Sequence, residues 1–405
     1  MLFKLAWRNI WRNKRRSLIV IGSVVVGVIA IIFMDALSTG FVKQMLFNQI
    51  DINIGHAQIH KKGFTDNKSI KNFIPDPQKV EQIIKSDKDI RHYSKRVISF
   101  GLLSSASGSS GIYFYGIVPK LEKNVSVVDN SMIKGEFLSG GEREIIIGDK
   151  LADKLNVGLG DKVVGMANRI DGSIGSEVFR IKGIFNTTSS EFDGTYVYTN
   201  IGTLRSMLDL NDKVYEFVLN AENYTEAPQI TKELKSQLSS AQYEVLSYKD
   251  ILPLLILQVN LTKESMLVVN LIIGLALIFG IINTMLMTVF ERIREFGVLM
   301  SIGMKNGKIF LMITFEALIV GIVGTIIGII IGSLIVLPVT YSGIDLSFFA
   351  EGLSSLGTGS VIYPELNLSG LTATLITIPF ITVLGAIYPA YKAIKLEPVY
   401  AIRYV

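Results

Sequence analysis

MLVVNLIIGLALIFGIINTMLMTVF, residues 266–290, is an uncharged apolar run that stops against the charges of ERIRE, 291–295. About 20 apolar residues in an α-helix cross a hydrocarbon layer roughly 30 Å thick, so this run is a membrane span. Residues 17–37, 309–337 and 371–390 satisfy the same criterion. The third is longer than required, and Pro338 offers it a stop. Residues 251–257 form a shorter apolar run interrupted by Pro253, which reads as a stalk or core segment. The whole chain agrees with the spans. Of 405 residues, 49% are hydrophobic and only 19% charged, and the mean hydropathy of +0.43 is too high for an ordinary soluble protein. The absence of Cys removes disulfide scaffolds, thiolate catalysis and Cys-ligated zinc, and three His leave little for a metal site.

Lys and Arg mark the cytoplasmic side of short loops. Lys4, Arg8, Arg12, Lys14, Arg15 and Arg16 precede the first span, Arg292, Arg294, Lys305 and Lys308 lie between the second and third, and Lys392, Lys395 and Arg403 follow the fourth. Residues 338–370 carry no Lys or Arg but contain Asp345, Glu351 and Glu365. Both termini are therefore expected in the cytoplasm, as an even number of spans also requires. The net charge of +5 is then an orientation signal, with no nucleic-acid partner implied. A cleaved signal peptide is the rival reading of the first segment. The apolar run is long for that role and no small-x-small cleavage site follows it, so the span is expected to stay. Before it, Phe3, Trp7 and Ile10/Trp11 recur at helical steps beside a stripe of Arg8, Arg12 and Arg15, the pattern of an amphipathic helix lying in the interface.

The expected fold is a membrane protein of four transmembrane α-helices with a large α+β extracytoplasmic domain inserted between the first two. Its layout is a cytoplasmic amphipathic helix (1–16), span one (17–37), a periplasmic domain (38–265), span two (266–290), a cytoplasmic segment (291–308), span three (309–337), a periplasmic loop (338–370), span four (371–390) and a cytoplasmic tail (391–405). Within 38–265, alternating or β-branched runs predict strands at 52–59, 96–103, 111–118, 144–148, 162–166, 177–185, 195–199, 214–220 and 243–246. Helical periodicity predicts helices at 76–86, 150–155, 201–208 and 225–239. The middle, about 95–200, is β-rich and flanked by βαβ-like pieces.

Little chemistry is visible in that domain. Gly-rich stretches at 104–111, 140–141 and 172–175 suit hairpin turns. The nearest approach to a nucleotide loop, 303–309, lacks two required positions of G-x-x-x-x-G-K-[S/T], since 302 and 309 are both Ile. His56 and His60 in GHAQIH lie on a predicted strand, where four residues span about 13 Å, so they are expected to be surface polar residues rather than ligands of one metal. Glu142, Glu144, Asp149, Asp153 and Asp161 read as a solvated face, without the pairing that acid–base catalysis needs. In span three, Gly321, Gly324, Gly328 and Gly332 recur every three or four residues and predict close helix packing on one face. Asp35 and Glu316 are acids inside spans and hence functional candidates by default. Each also has an interfacial reading, Asp35 at the outer boundary and Glu316 at the inner.

The segment ERIREFGVLMSIGMKNGKIF (291–310) resembles the coupling segment of the ABC permeases that include the macrolide exporter, the cell-division permease and the lipoprotein-releasing permeases. Glu291, Arg292, Arg294, Glu295, Gly297, Gly303 and Met304 fall on that family's E-R-x-x-E-[I/F]-G-x-x-x-[A/S]-[I/L]-G pattern. LAWRNIWRNKRRS before span one, Glu316-Ala317 with the glycines, YPAYKAIKLEPVYAIR after span four and EREIIIGDKLADKLNVGLGDKV (142–163) are similar to family segments too. GIYFYGIVPKLEKNVSVVDNSMIKGEFL (111–138) looks closest to the lipoprotein-releasing branch, with Gly116, Ile117, Pro119, Glu122, Val125 and Ser126 matching, whereas the N-terminal stretch is nearer the general exporters.

The resemblance implies a non-catalytic permease subunit with no cofactor of its own. ATP and Mg would be bound by a cytoplasmic ABC ATPase dimer, and a second permease would complete a homo- or heterodimer among membrane lipids. The ATPase would meet Glu291, Arg292, Arg294, Glu295, Gly297, Met300, Gly303 and Met304, an amphipathic stretch suited to a partner's groove. The cargo implied is a lipoprotein handed to a periplasmic carrier, drawn from a cleft near Phe33, Met34, Leu37, Phe41, Met266 and Val269. Ordinary packing is an equal reading of those six. Regulation of a cell-wall hydrolase and efflux of peptides or small molecules are the alternatives the same family offers.

Overall fold

The computed structural model describes residues 7–9, 11–12, 14–349, 352–353 and 358–395. Helices of seven residues or more are, in chain order, α1 Lys14–Gln49, α2 Pro77–Ser86, α3 Asp149–Leu155, α4 Ile201–Leu208, α5 Ala227–Gln237, α6 Pro253–Glu291, α7 Ile293–Ser301, α8 Asn306–Ser342 and α9 Leu368–Ile394. The chain divides into a helical unit (1–43, 258–346 and 361–405) and an α+β unit (44–257 and 347–360).

In the helical unit, α1, α6, α8 and α9 are each long and apolar enough to cross a membrane. Small residues set how they pack. A Cβ added to Gly324 would lie 2.8 Å from Val24, one on Gly328 2.7 Å from Val28 and one on Gly332 3.3 Å from Ile32, so three of the four span-three glycines face α1. The fourth, Gly321, faces α9, where an added Cβ would come within 2.1 Å of Thr382 Oγ1. Helix α8 does not stop at Pro338. It continues to Ser342 and is closed by the Gly343 N–H on Val339 O, 2.8 Å. A proline near a helix end costs one backbone bond, a loss transmembrane helices tolerate. The return segment then lies along α1. Strands β11 (Ile344–Asp345) and β12 (Val361–Ile362) pair, Glu365 N donates to Ala36 O at 2.9 Å, and Lys43 Nζ reaches Glu365 Oε2 at 2.6 Å. Asp35 sits against Gly370 in the first turn of α9, where helix N–H dipoles favour an acid.

The α+β unit is built on one ten-stranded mixed sheet: β1 Ala57–Lys61, β2 His92–Ser104, β3 Ser109–Ile117, β4 Met132–Gly135, β5 Glu144–Gly148, β6 Lys162–Asn168, β7 Ile174–Phe185, β8 Tyr196–Asn200, β9 Glu216–Asn220 and β10 Tyr243–Ser247. Their order is β10-β1-β9-β2-β3-β8-β5-β7-β4, with β6 bridging β2 and β7. One core beneath the middle strands includes Phe114, Phe179, Ile147, Leu151 and Leu204. A second, under α2 and α5, includes Val80, Ile84, Phe217, Ile230 and Leu234. Asp76 and Pro77 explain where α2 begins, because Asp76 accepts from Lys79 N at 3.1 Å and proline at the first helical position forfeits no bond.

The strand expected at 52–59 begins only at Ala57. Ile50–Ile54 instead forms a π-helical turn continuing α1, with Ile50 and Ile52 buried. The switch occurs at Gly55 (φ +67), where a side chain would also meet Val218 Cγ1 at 2.4 Å. Apolar alternation alone cannot see a helix that has not yet ended.

Candidate functional site

The residues joining α6 to α8 fold into the short helix α7. Ile293, Phe296 and Gly297 recur at helical spacing and are buried, while Arg294, Glu295 and Val298 stay exposed. The helix ends in a left-handed turn. Gly303 (φ +92) donates to Met300 O at 3.0 Å and Met304 to Leu299 O at 3.0 Å, which satisfies the last free carbonyls. Ile302 is left 80% exposed.

Behind α7 lies a closed chain of charges. Arg292 Nη1 donates to Glu316 Oε2 at 2.8 Å and to Oε1 at 3.1 Å, and its Nε donates to Glu295 Oε2 at 3.0 Å. Arg12 pairs with the other oxygen of Glu295, and Asn9 Nδ2 donates to Glu316 Oε1 at 2.8 Å. The Arg292 guanidinium lies 5.1 Å from the Phe296 ring centroid. Arg292 and Glu316 are each 6% exposed. Burial opposes the charge on Arg292, but Glu316 and Glu295 outweigh it and hold its pKa above the usual arginine value. Burial raises the Glu295 carboxyl, and the hydrogen bonds from Arg292 and Arg12 more than reverse it, leaving the pKa below the ordinary carboxylate range.

The expected partner-facing set therefore splits. Glu291, Arg294, Glu295 and Gly303 are exposed, Met300 and Met304 half-buried, and Arg292 and Gly297 buried. Arg292 faces inward because an arginine so placed needs a carboxylate, and Glu316 supplies one. Arg12, expected on the cationic stripe of an interfacial helix, is tied to Glu295; Trp7 and Trp11 remain about half exposed with their rings 6.0 Å apart. Phe3 and Ile10 lie outside the described residues. Phe33, Met34, Leu37, Phe41, Met266 and Val269 are all half-buried, with Leu267, Val268, Leu271 and Ile272 more open on α6.

A second polar cluster lies inside the α+β unit. Register puts His60 of β1 opposite Glu216 of β9, and Glu216 opposite Arg96 of β2, so the three share one row across the sheet. Glu122, in the short helix Pro119–Glu122, closes the row on Arg96. His56 and His60 are not surface residues, being 8% and 1% exposed. His56 Nδ1 accepts from Ala221 N at 3.0 Å, and His60 lies between Tyr215 O and Gln58 Oε1. Burial lowers the pKa of both. His60 of β1 stacks on the Phe64 ring at 4.8 Å and His56, just before the strand, is held by Ala221, contacts that local hydropathy does not report.

Residues 17–237, more than half the chain, match the profile of the MacB-like periplasmic core domain, and residues 267–398 match that of the FtsX-like permease C-terminal region. The chain belongs to the family of permeases that carry a MacB-like periplasmic core domain, here with an FtsX-like C-terminal region. This permease is 24% identical to the lipoprotein-releasing system transmembrane protein LolC of Neisseria meningitidis, over 96% of its own length and 94% of that protein's. It is 26% identical to the uncharacterised ABC transporter permease YknZ of Bacillus subtilis, over 70% and 66% of the two chains. Among solved structures, the periplasmic region of MacB from Actinobacillus actinomycetemcomitans aligns with 50% of this chain and 93% of that one, at 16% identity and a TM-score of 0.36. The chain is thus an ABC transporter permease with four membrane helices and a large α+β domain.

Proposed function

We propose that this permease couples ATP hydrolysis by a separate ATPase to the extraction of lipoproteins from the outer leaflet of a bacterial inner membrane. The observation that carries the reading is the similarity to a lipoprotein-releasing transmembrane protein along nearly the full length of both chains. In this reading both termini and α7 are cytoplasmic, the α+β unit is periplasmic, and the exposed side of α7 receives the ATPase. Two permeases enclose the lipid anchor between them. Each acyl methylene contributes about 0.8 kcal/mol to membrane affinity, so lifting two or three chains needs both nucleotide energy and an apolar cleft. The cargo then passes to a periplasmic carrier.

The test is reconstitution of the permease and its ATPase in vesicles carrying a triacylated lipoprotein. ATP-dependent transfer to a soluble acceptor supports the reading. Intact ATPase activity without transfer sinks it. The MacB-like core profile favours a second reading, efflux of peptides or small molecules. Uptake of such compounds into inverted vesicles, with no lipoprotein release, would select it.

A further inference from the structure

We propose that the Arg292–Glu316 ion pair is the joint through which displacement of α7 enters the membrane helices, with Asn9 and Arg12 as positioning residues that bind the residues just before α1 to the same joint. The inference rests on the reading of α7 as the helix that receives the ATPase. Its basis is the way the charges are distributed over three segments. Arg12 and Asn9 come from the residues just before α1, Arg292 and Glu295 from the start of α7, and Glu316 from within α8. They alternate in sign along the path Arg12, Glu295, Arg292, Glu316, so every charge has an opposite neighbour.

A buried ion pair behaves unlike an apolar contact under load. Apolar surfaces can slide with little loss of buried area, whereas parting a desolvated arginine from its carboxylate leaves two uncompensated charges. The pair therefore resists both pulling and pushing. Glu316 lies ten residues into α8, roughly 15 Å along its axis. It also stands five residues before Gly321, where the glycine face against α9 and α1 begins. A push on α7 thus reaches α8 just before the contacts through which α8 moves its neighbours. Of the exposed residues of α7, Glu295 alone belongs to this chain of charges. Arg294, Val298 and Ile302 are free to face a partner while Arg292 and Phe296 hold the other side.

A merely structural role and a transmitting role differ in what survives mutation. The experiment uses the full permease with its ATPase in nanodiscs, comparing wild type, Glu316→Gln, Arg292→Glu, Glu316→Arg and the double variant Arg292→Glu/Glu316→Arg. Docking is read as ATPase retained on the permease in gel filtration. Transmission is read as the ATP-dependent emission change of a dye on Leu334→Cys, which is a unique label because the chain has no Cys. Leu334 is exposed on α8 and 62% accessible.

The single variants are expected to keep the ATPase bound while the dye response falls at least five-fold, and the double variant to recover to within about two-fold of wild type. Glu316→Gln, which retains hydrogen bonding without charge, guards against loss of folding in the reversals. Wild-type responses in every single variant would overturn the joint. So would loss of docking and dye response together with no recovery in the double variant, which is the signature of a structural role. A separate lipoprotein-release arm distinguishes the two claims. Wild type that docks and responds to ATP but releases nothing defeats the lipoprotein reading and leaves the joint standing.

Discussion

Arg96 on β2 is held by Glu122 through Nε and Nη2 and by Glu216 through Nη1, and no part of the Arg96 or Glu122 side chain reaches solvent. Removing one member of a buried ion pair strands the other and costs about 3–5 kcal/mol, while replacing the set with apolar side chains of similar volume is often neutral. Glu122→Leu alone is therefore expected to destabilise the α+β unit by about 3–5 kcal/mol, read as lost hydrogen-exchange protection at β2 and β9. Adding Arg96→Met and Glu216→Leu should return most of that protection. Single substitutions that change protection by less than about 1 kcal/mol, a surface-pair value, would show the row to be solvated in solution.

Two carboxylates give the same unit opposite responses to acid. Burial raises Asp193 from 3.8 to about 6, despite the Thr187 N–H and hydroxyl that donate to it at 2.9 and 2.7 Å. Its folded-state pKa is above the unfolded one, so its charge burdens the fold above pH 6 and the burden is relieved as pH falls toward 3.8. Glu81 is raised by burial, but Lys95, Lys85 and Tyr93 pull it down to about 2. Its contribution is present above its unfolded pKa of 4.5 and lost as pH falls toward 2. Of these two carboxylates only Asp193 titrates between pH 7.5 and 5; His56 and His60, lowered by burial, and Asp51, raised by burial to about 6, are common to wild type and variant and cancel in the comparison. Asp193→Asn should remove a stability gain on the order of 1–2 kcal/mol over that interval, measured by thermal unfolding at both pH values, and Glu81→Gln should leave the interval unchanged. Equal pH slopes for wild type and Asp193→Asn would contradict the assignment.

The membrane helices were legible because their signal is local: twenty or so apolar residues declare a span regardless of what they pack against. What stayed hidden depended on register and on distant partners. His56 and His60 look like any polar residues near a strand until partners distant in the chain enclose them, Ala221 N–H on His56 and Tyr215 O on His60, and nothing near Arg96 in the chain names Glu216 as its cross-strand neighbour. The E-R-x-x-E spacing of residues 291–295 revealed a family resemblance but not that Arg292 turns inward, since its carboxylate is 24 residues away. Pro338 and Ile52 misled for a common reason. A helix stop and a strand were read from one residue type or a short alternation, whereas the longer helices continued through both.

The glycine face of α8 sets up a graded test of packing. Gly328→Leu would drive carbon into Val28, where even a Cβ has only 2.7 Å, and Gly324→Leu into Val24. Overpacking of this kind costs about 1–3 kcal/mol, expected here as a lower aggregation temperature of the detergent-solubilised chain. Gly280, on the open side of α6, has nothing within 4 Å of an added Cβ. Gly280→Ala should hold the wild-type temperature or exceed it, since alanine favours helix by about 0.5–1 kcal/mol over glycine. If Gly328→Leu and Gly280→Ala behave alike, α8 does not pack on α1 through its glycines.

Gly303 offers the sharpest test of α7, because its requirement is conformational rather than steric. No atom lies within 4 Å of an added Cβ, yet φ is +92 and the turn it makes satisfies the carbonyls of Met300 and Leu299. A left-handed residue costs about 1–2 kcal/mol for ordinary side chains, less for asparagine, and most for β-branched ones. The order of disruption should therefore be Gly, Asn, Ala, Val, and not the order of side-chain volume, in which alanine would come directly after glycine. Permease-stimulated ATP hydrolysis should follow the conformational order, with Gly303→Asn near wild type and Gly303→Val several-fold lower, while hydrolysis by the ATPase alone is the constant reference. If stimulation instead falls in the order Ala, Asn, Val, the position is limited by space at a partner's surface, and Gly303 itself faces that partner instead of shaping the helix proposed to meet it.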